Sequence, residues 1–301
     1  MTCRQGVGPK LAPSVTRMCA LAGVSRGAFY RGWGERAPGE AETALRDAIH
    51  RLALSHRHYG YRRITALLKR EEWVVNHKRV ARLMREDNLL CLRKPAFRPA
   101  TTDSQHDWRV WPNLARRLAP MAVNQLWVAD ITYVRLKEAF VYLAVILDAF
   151  SRKVVGWSMA NYLTADLAVE ALAMALADRE VIVGGLVHHS DRGVQYACSD
   201  YVERLQAAGI LPSMSRAGCP YDNAMAESFM KTLKVEEVHA SNYNNLEHAR
   251  SAIGAFIETV YNRQRLHSAL AYQSPEEFEA SSLGANATSH PVDQLNCHQF
   301  T

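Results

Sequence analysis

At Asn124 the hydrophobic period of this chain changes, and the change limits the possible folds more than any single residue does. Upstream, apolar residues recur at helical spacing: Val15, Cys19 and Leu21, then Leu45, Ile49, Leu52 and Leu54, then Ile64, Leu67 and Leu68, then Val80, Leu83 and Met84. Downstream, three strand-like runs follow one another. Residues 125–136 alternate around Trp127, Val128, Ile131 and Val134; residues 140–150 are apolar enough for a buried central strand; residues 152–159 form a third. Turns near Lys137-Glu138 and Phe150-Ser151 are short enough for an antiparallel meander. The pattern then alternates: a helix over 163–179, a strand over 181–188, a helix over 199–208, a strand over 211–215, a long helix over 221–239 and a last large helix over 246–262. This order predicts an α/β domain on a mixed five-stranded sheet. Trp127 and Trp157 read as core aromatics.

Bulk properties exclude several classes. A length of 301 residues allows two or three small domains, and 48% hydrophobic with 22% charged residues is ordinary for a soluble globular chain. No stretch approaches ~18 consecutive apolar residues, so no membrane partner is expected. The first residues carry Arg4, Lys10 and Arg17 without an apolar core, which predicts no secretion signal. The cysteines (Cys3, Cys19, Cys91, Cys198, Cys219, Cys297) are scattered and form no CxxC pair, which argues against structural zinc and disulfides and predicts free thiols in a cytoplasm.

Charge is uneven. Residues 51–100 hold 13 Lys/Arg against 4 Asp/Glu, an excess of +9 in a chain whose net charge is +6. A basic segment before a near-neutral domain fits a nucleic-acid-binding module. In residues 13–33, Gly23 makes a turn and Ser25 caps a second short helix carrying Arg26, as in a helix-turn-helix. Asn76 caps a helix that turns His77, Lys78, Arg79, Arg82 and Arg85 outward, with Arg62 and Arg63 on the helix before it. These residues are the candidate DNA contacts of the N-terminal half. The expected organisation is an N-terminal helix-turn-helix-like segment and linker over 1–40, a basic helix-turn-helix domain over 41–93, a proline-containing connector over 94–123, the α/β core with its C-terminal helix over 124–280 and a flexible tail over 281–301.

Three acids in the core carry the chemistry. Asp130 lies within the first strand, Asp191 follows the fourth in His188-His189-Ser190-Asp191-Arg192-Gly193, and Glu227 lies on a helix after Asp222-Asn223-Ala224-Met225-Ala226; 35 residues lie between Asp191 and Glu227. Isolated carboxylates on rigid elements suit hard divalent cations. Such a site can run phosphodiester chemistry with two metal ions. Their mutual repulsion predicts raised pKa values before metal or DNA arrives.

In these segments, and in 142–157 and 261–278, the chain resembles the catalytic core of the DDE transposase and retroviral integrase superfamily. It is most similar to the OrfB-type transposases of bacterial insertion sequences of the IS-three family. The resemblance spans residues 15–280 approximately and implies a ribonuclease-H-like integrase core preceded by all-α helix-turn-helix units. It implies a DNA transposase that binds element ends and performs metal-dependent strand cleavage and strand transfer. Asp130, Asp191 and Glu227 are then catalytic and bind two Mg²⁺ (or Mn²⁺) ions, Asp130 bridging both. It further implies double-stranded DNA as partner, through the element's terminal inverted repeats and the target; a homo-oligomer on DNA; an upstream-frame (OrfA-type) protein or frameshift fusion; and a bacterial cytoplasmic, nucleoid-associated location. Lys234, seven residues after Glu227, matches a basic position of the family signature and is the first candidate for phosphate contact, with Lys231 and Asn223 expected on the same face. His189 is expected behind the acids or toward DNA, and Tyr261-Asn262-Arg263 with Arg265-Leu266-His267 are expected to position DNA or brace the catalytic helix. The absence of the retroviral His/Cys zinc spacing favours the bacterial branch. Two other functions remain: a nuclease of the same fold that cannot join strands, and a DNA-binding regulator without catalysis.

Overall fold

A computed structural model describes residues 14–31, 39–90, 109–216 and 219–287. The chain divides into two compact units, residues 1–91 and 92–301. Expectations for the leader, for most of the first linker, for residues 91–108 of the connector and for the end of the tail lie outside the described residues.

In the first unit, α1 (Val15–Ala22) and α2 (Arg26–Arg31) flank Gly23, whose φ of 63° makes the turn. Ser14 caps α1, and the Ser25 hydroxyl accepts from the Ala28 amide at 3.1 Å, capping α2. Cys19 is buried but Leu21 is exposed, contrary to the expected stripe. Residues two apart lie on nearly opposite sides of a helix, so both cannot face inward. The same geometry separates buried Leu52 from exposed Leu54 in α3 (Glu40–Ser55). With α4 (Tyr61–Arg70) and α5 (His77–Glu86), α3 encloses Leu45, Ile49, Ile64, Leu68, Val80, Leu83 and Met84, all buried. Asn76 caps α5 through the Lys78 amide at 2.8 Å.

In the second unit, β1 (Leu126–Arg135), β2 (Phe140–Asp148) and β3 (Val154–Ala160) form the antiparallel meander. Strands β4 (Val187–Ser190) and β5 (Leu211–Met214) extend it in parallel, giving the order β3-β2-β1-β4-β5. The connections are α6 (Ala165–Asp178) between β3 and β4, then α7 (Val194–Ala197) and α8 (Ser199–Ala207) before β5. One face of the sheet packs Trp127, Ala129, Ala144 and Ile146 against Leu167, Ala171 and Leu172 of α6 and Tyr201 of α8. The other packs Leu126, Val128, Val134 and Leu143 against α9 (Ala224–Leu233) and α10 (Leu246–Ala255). The result is a three-layer α/β/α core, its period-two strands buried on both faces. Gly156 is required where β3 meets α6, because a Cβ there would collide with the Ala171 carbonyl.

Several boundaries differ from the sequence expectation. The 181–183 apolar run is not strand: Gly184 takes φ 72° and the segment turns, leaving Ile182 and Val183 about 80% exposed. The expected helix over 221–239 is a 3-10 turn (Pro220–Asn223), then α9, then a π turn (Lys234–Val238). Likewise α10 passes into a π-helical stretch (Phe256–Gln264). Such π turns accommodate packing that regular helical spacing does not reveal. The expected tail from 281 begins inside a helix, α11 (Pro275–Ala287). Ser274 caps it through the Glu277 amide, and Glu279 of this helix pairs with Arg179 at 2.9 Å. The end of the expected connector is also part of the core unit: the Leu114 amide donates to Ser213 Oγ at 2.9 Å, and Trp111 packs on the α6 side.

Candidate active site

Strand alternation decides where Asp130 points. Leu126, Val128 and Val134 face α9 and α10, so Asp130, in phase with them, faces the same layer. The parallel register Trp127↔His188 and Val128↔His189, continued two residues, sets Asp191 level with Asp130 just past the end of β4. On α9, Ala226, Phe229, Met230 and Leu233 pack on that layer, while Glu227 is exposed in the helix's first turn.

The three carboxyls share one electric field. Asp130 is partly buried and its pKa is pushed up to about 7, first by burial and then by the charge of Asp191. Glu227 adds to the rise, while the Ile131 amide, donating at 2.9 Å, and the Lys234 ammonium oppose it. Asp191 Oδ1 accepts from the Gly193 amide at 3.0 Å, which fixes its carboxyl at the mouth of α7. Among the described residues, no three His, Cys, Asp or Glu side chains are drawn together closely enough to hold an ion as they stand. The acids are neighbours, with their side chains not yet converged.

Lys234 extends toward the same place. Its Nζ lies 4.6 Å from the centre of the Tyr133 ring, and burial lowers its pKa against the opposing charge of Asp130. Lys231 is exposed. Asn223 departs from expectation: instead of lining an open face it is buried, and its Nδ2 donates to the Ala129 carbonyl at 2.9 Å. The reason is local, since the chain is still in the tight 3-10 turn at Asn223 and α9 begins one residue later.

Of the two places expected for His189, the structure shows the one behind the acids. It is fully buried, with Nδ1 2.8 Å from Ser213 Oγ and Nε2 3.0 Å from Ser215 Oγ, so it locks β4 to β5 rather than facing DNA. Burial lowers its pKa, and that of His188 falls to about 3, mainly by burial; His188 Nε2 lies 2.9 Å from the Tyr201 hydroxyl. The C-terminal signature braces. Asn262 makes two hydrogen bonds of 3.0 Å with the Val154 backbone, Tyr261 packs edge-on against Phe229 of α9 at 4.7 Å, and buried Arg265 forks onto Glu236 at 2.9 and 3.1 Å.

Some site residues gave no sequence signal. Arg216, hydrogen-bonded to Asp222 at 3.0 Å, holds that carboxyl well below the usual range, and Asn113 Nδ2 donates to it at 2.8 Å, which fixes the approach to α9. Tyr196 is buried with its hydroxyl unpaired among the described residues; burial, Tyr201 and the charges of Asp130 and Asp191 all push its pKa up.

In the first unit the basic residues are partly neutralised. Arg79 pairs with Glu42 at 3.2 Å, and Arg82 pairs with Glu86 at 2.8 Å. Lys78, Arg85 and, in α2, Arg26 are exposed. His77 stacks on Tyr61 at 6.1 Å; Arg62 covers the same ring at 5.0 Å, and Arg63 covers Tyr59 at 5.2 Å.

With this geometry in place, known proteins identify the family. Models described as integrase core domain match residues 120–220 and 208–275, and an HTH-like domain model matches residues 40–97. The Insertion element IS600 uncharacterized 31 kDa protein of Shigella sonnei is 41% identical over 266 residues, 87% of this chain and 97% of that protein. Transposase InsF for insertion sequence IS3A of Escherichia coli (strain K12) is 37% identical over 280 residues, 90% of this chain and 95% of its own length. The chain belongs to the IS3 family of insertion-sequence transposases. It has the family's integrase catalytic core and its helical DNA-binding region, and DNA is its partner. Among solved structures, the HTLV-2 integrase catalytic core domain in complex with magnesium is 18% identical, with a TM-score of 0.42 over 54% of this chain and 99% of that one. No helix among the described residues is long and apolar enough to cross a membrane.

Proposed function

We propose that Asp130, Asp191 and Glu227 are the metal-binding catalytic acids of this transposase, and that it cuts and joins the ends of its own element. The observation that carries this reading is the β1–β4 register that sets Asp191 level with Asp130; burial and the charges of Asp191 and Glu227 then raise the Asp130 pKa. A carboxyl cluster that costs free energy in the free chain is relieved by a cation, and an all-oxygen donor set suits magnesium or manganese. Two such ions held by these residues would supply activation of the attacking oxygen and neutralisation of the leaving one. Asp130 feels the charge of both other acids and would serve both ions; Asp191 and Glu227 would each serve one. Binding requires Asp130 to give up its proton. Lys234 offers a cation beside these acids for the phosphate of the reacting strand. No side-chain nucleophile is called for: water attacks first, and the freed 3′-OH then attacks a second phosphodiester.

The exposed Lys78, Arg85 and Arg26, with Lys231 beside the core site, supply further phosphate contacts. The natural substrate is the element's terminal repeats, bound by a homo-oligomer, with an upstream-frame protein or fusion as companion. The test is a strand-cleavage and strand-transfer assay on duplexes carrying the element ends. Mg²⁺ and Mn²⁺ should support both steps, and Ca²⁺ should support assembly without efficient chemistry. Undiminished cleavage in excess chelator would refute the metal mechanism, and cleavage without joining would reduce the protein to a nuclease.

A further inference from the structure

The β1–β2 hairpin carries an aromatic pair next to Lys234 that neither the fold nor the carboxyl chemistry requires. Tyr133 and Phe140 meet edge to face with ring centres 5.7 Å apart. Their strands are in register, Tyr133 opposite Tyr142 and Arg135 opposite Phe140, so the two rings stand on one face of the hairpin. Phe140 is 54% exposed, although it opens a strand whose following residues are almost all buried. Lys234 lies over the Tyr133 ring at 4.6 Å and acts electrostatically on Asp130, so this lysine links the acids to a pair whose strand phase is opposite to that of Asp130. Around it Arg135 and Lys231 are exposed. Among the described residues no carboxylate forms an ion pair with Lys234, in contrast to Arg79 and Arg82.

We propose that Tyr133 and Phe140 form a stacking platform for an unpaired nucleobase at the DNA end, its phosphate held by Lys234. This deepens the function proposed above and rests on it. The occupant follows from the chemistry. A flat apolar ring in a field of lysine and arginine suits a ligand with π-faces and an anionic backbone. Single-stranded nucleic acid has both; a bare duplex hides its π-faces in the stack. A one-strand cut at an element end provides such bases where the few base pairs beside the nick open and leave the uncut strand locally unpaired. The platform would hold that strand away from the acids and keep the reacting phosphate accessible.

The test compares the full chain's affinity, in Ca²⁺, for two synthetic duplexes carrying the element end, one blunt and one with a three-nucleotide single-stranded extension bearing 2-aminopurine. Wild type should prefer the extended duplex by about tenfold and quench the 2-aminopurine. Phe140→Ala should lose most of that preference and the quenching while binding the blunt duplex as before; Phe140→Trp should keep both. Because Phe140 is exposed, these variants should fold. No preference in wild type, or equal losses on both duplexes in Phe140→Ala, would overturn the platform. Metal-dependent cleavage by wild type on the same duplexes reports separately on the acids, so a failed platform does not imply failed catalysis.

Discussion

Asn223 Nδ2 donates a 2.9 Å hydrogen bond to the Ala129 carbonyl, joining the turn that launches α9 to the strand residue just before Asp130. Glu227 sits four residues beyond Asn223, about one helical turn, so this bond sets the distance between two of the three acids. Asn223→Ala removes a buried hydrogen bond to this carbonyl, at a cost of about 1 kcal/mol. Strand cleavage should fall at least tenfold while affinity for DNA changes little. Equal losses in cleavage and binding would return Asn223 to the DNA interface.

The Asp130 pKa of about 7 has a consequence for stability. The group is protonated in the folded chain but ionised in the unfolded chain between its ordinary value, about 4, and about 7. Across that window the native state binds more protons, so metal-free stability should fall as pH rises and level off above pH 7. Asp130→Asn keeps the acceptor for the Ile131 amide but removes the charge. It should stabilise the metal-free chain above pH 7 by roughly 2–4 kcal/mol and flatten its stability over that window. Denaturant titrations at pH 5 and pH 8 give the comparison. A variant less stable than wild type at pH 8 would contradict the assigned strain.

Metal binding should carry the same signature. Mn²⁺ or Mg²⁺ must displace the Asp130 proton, so affinity should drop as pH falls below about 7, with close to one proton released per chain at pH 6. Calorimetry in buffers of different ionisation enthalpy counts that proton. Binding that is independent of pH between 5.5 and 8 would place the ion elsewhere.

The layered core was legible because strand and helix periods are written into it. The run around Trp127, Val128, Ile131 and Val134 marked a strand, but that Val128 and Val134 face one layer and Trp127 and Ala129 the other came from the structure. The three acids stood out by the resemblance of the segments that carry them. What the sequence hid was tertiary. The 181–183 run looked like strand because Ile and Val favour sheets, yet glycines 184 and 185 turn the chain there. Asn223 and His189 are polar residues whose partners, Ala129 and the serines at 213 and 215, lie far away in sequence, so no local pattern marks them as buried. Tyr133 and Lys234 meet across about a hundred residues and are invisible to periodicity for the same reason.

Salt bridges in the first unit rank its arginines. Glu42 holds Arg79, and Glu86 holds Arg82, whereas Lys78 is exposed. Lys78→Gln should lower the slope of log affinity against log salt by about 0.9, with smaller reductions for Arg79→Gln or Arg82→Gln. Glu42→Gln should tighten binding by freeing Arg79. Equal slopes for wild type and all three basic variants would move DNA contact away from α5.

The central claim is that Asp130, Asp191 and Glu227 act as one metal-dependent catalytic set. The most direct measurement is single-turnover strand cleavage in Mg²⁺ by wild type, Asp130→Asn, Asp191→Asn and Glu227→Gln, with DNA affinity measured in Ca²⁺ on the same proteins. Each substitution should reduce the cleavage rate by at least about a thousandfold, roughly 4 kcal/mol of barrier, and leave affinity within a few-fold of wild type. An Asp191→Asn or Glu227→Gln protein that cleaves at the wild-type rate would contradict it.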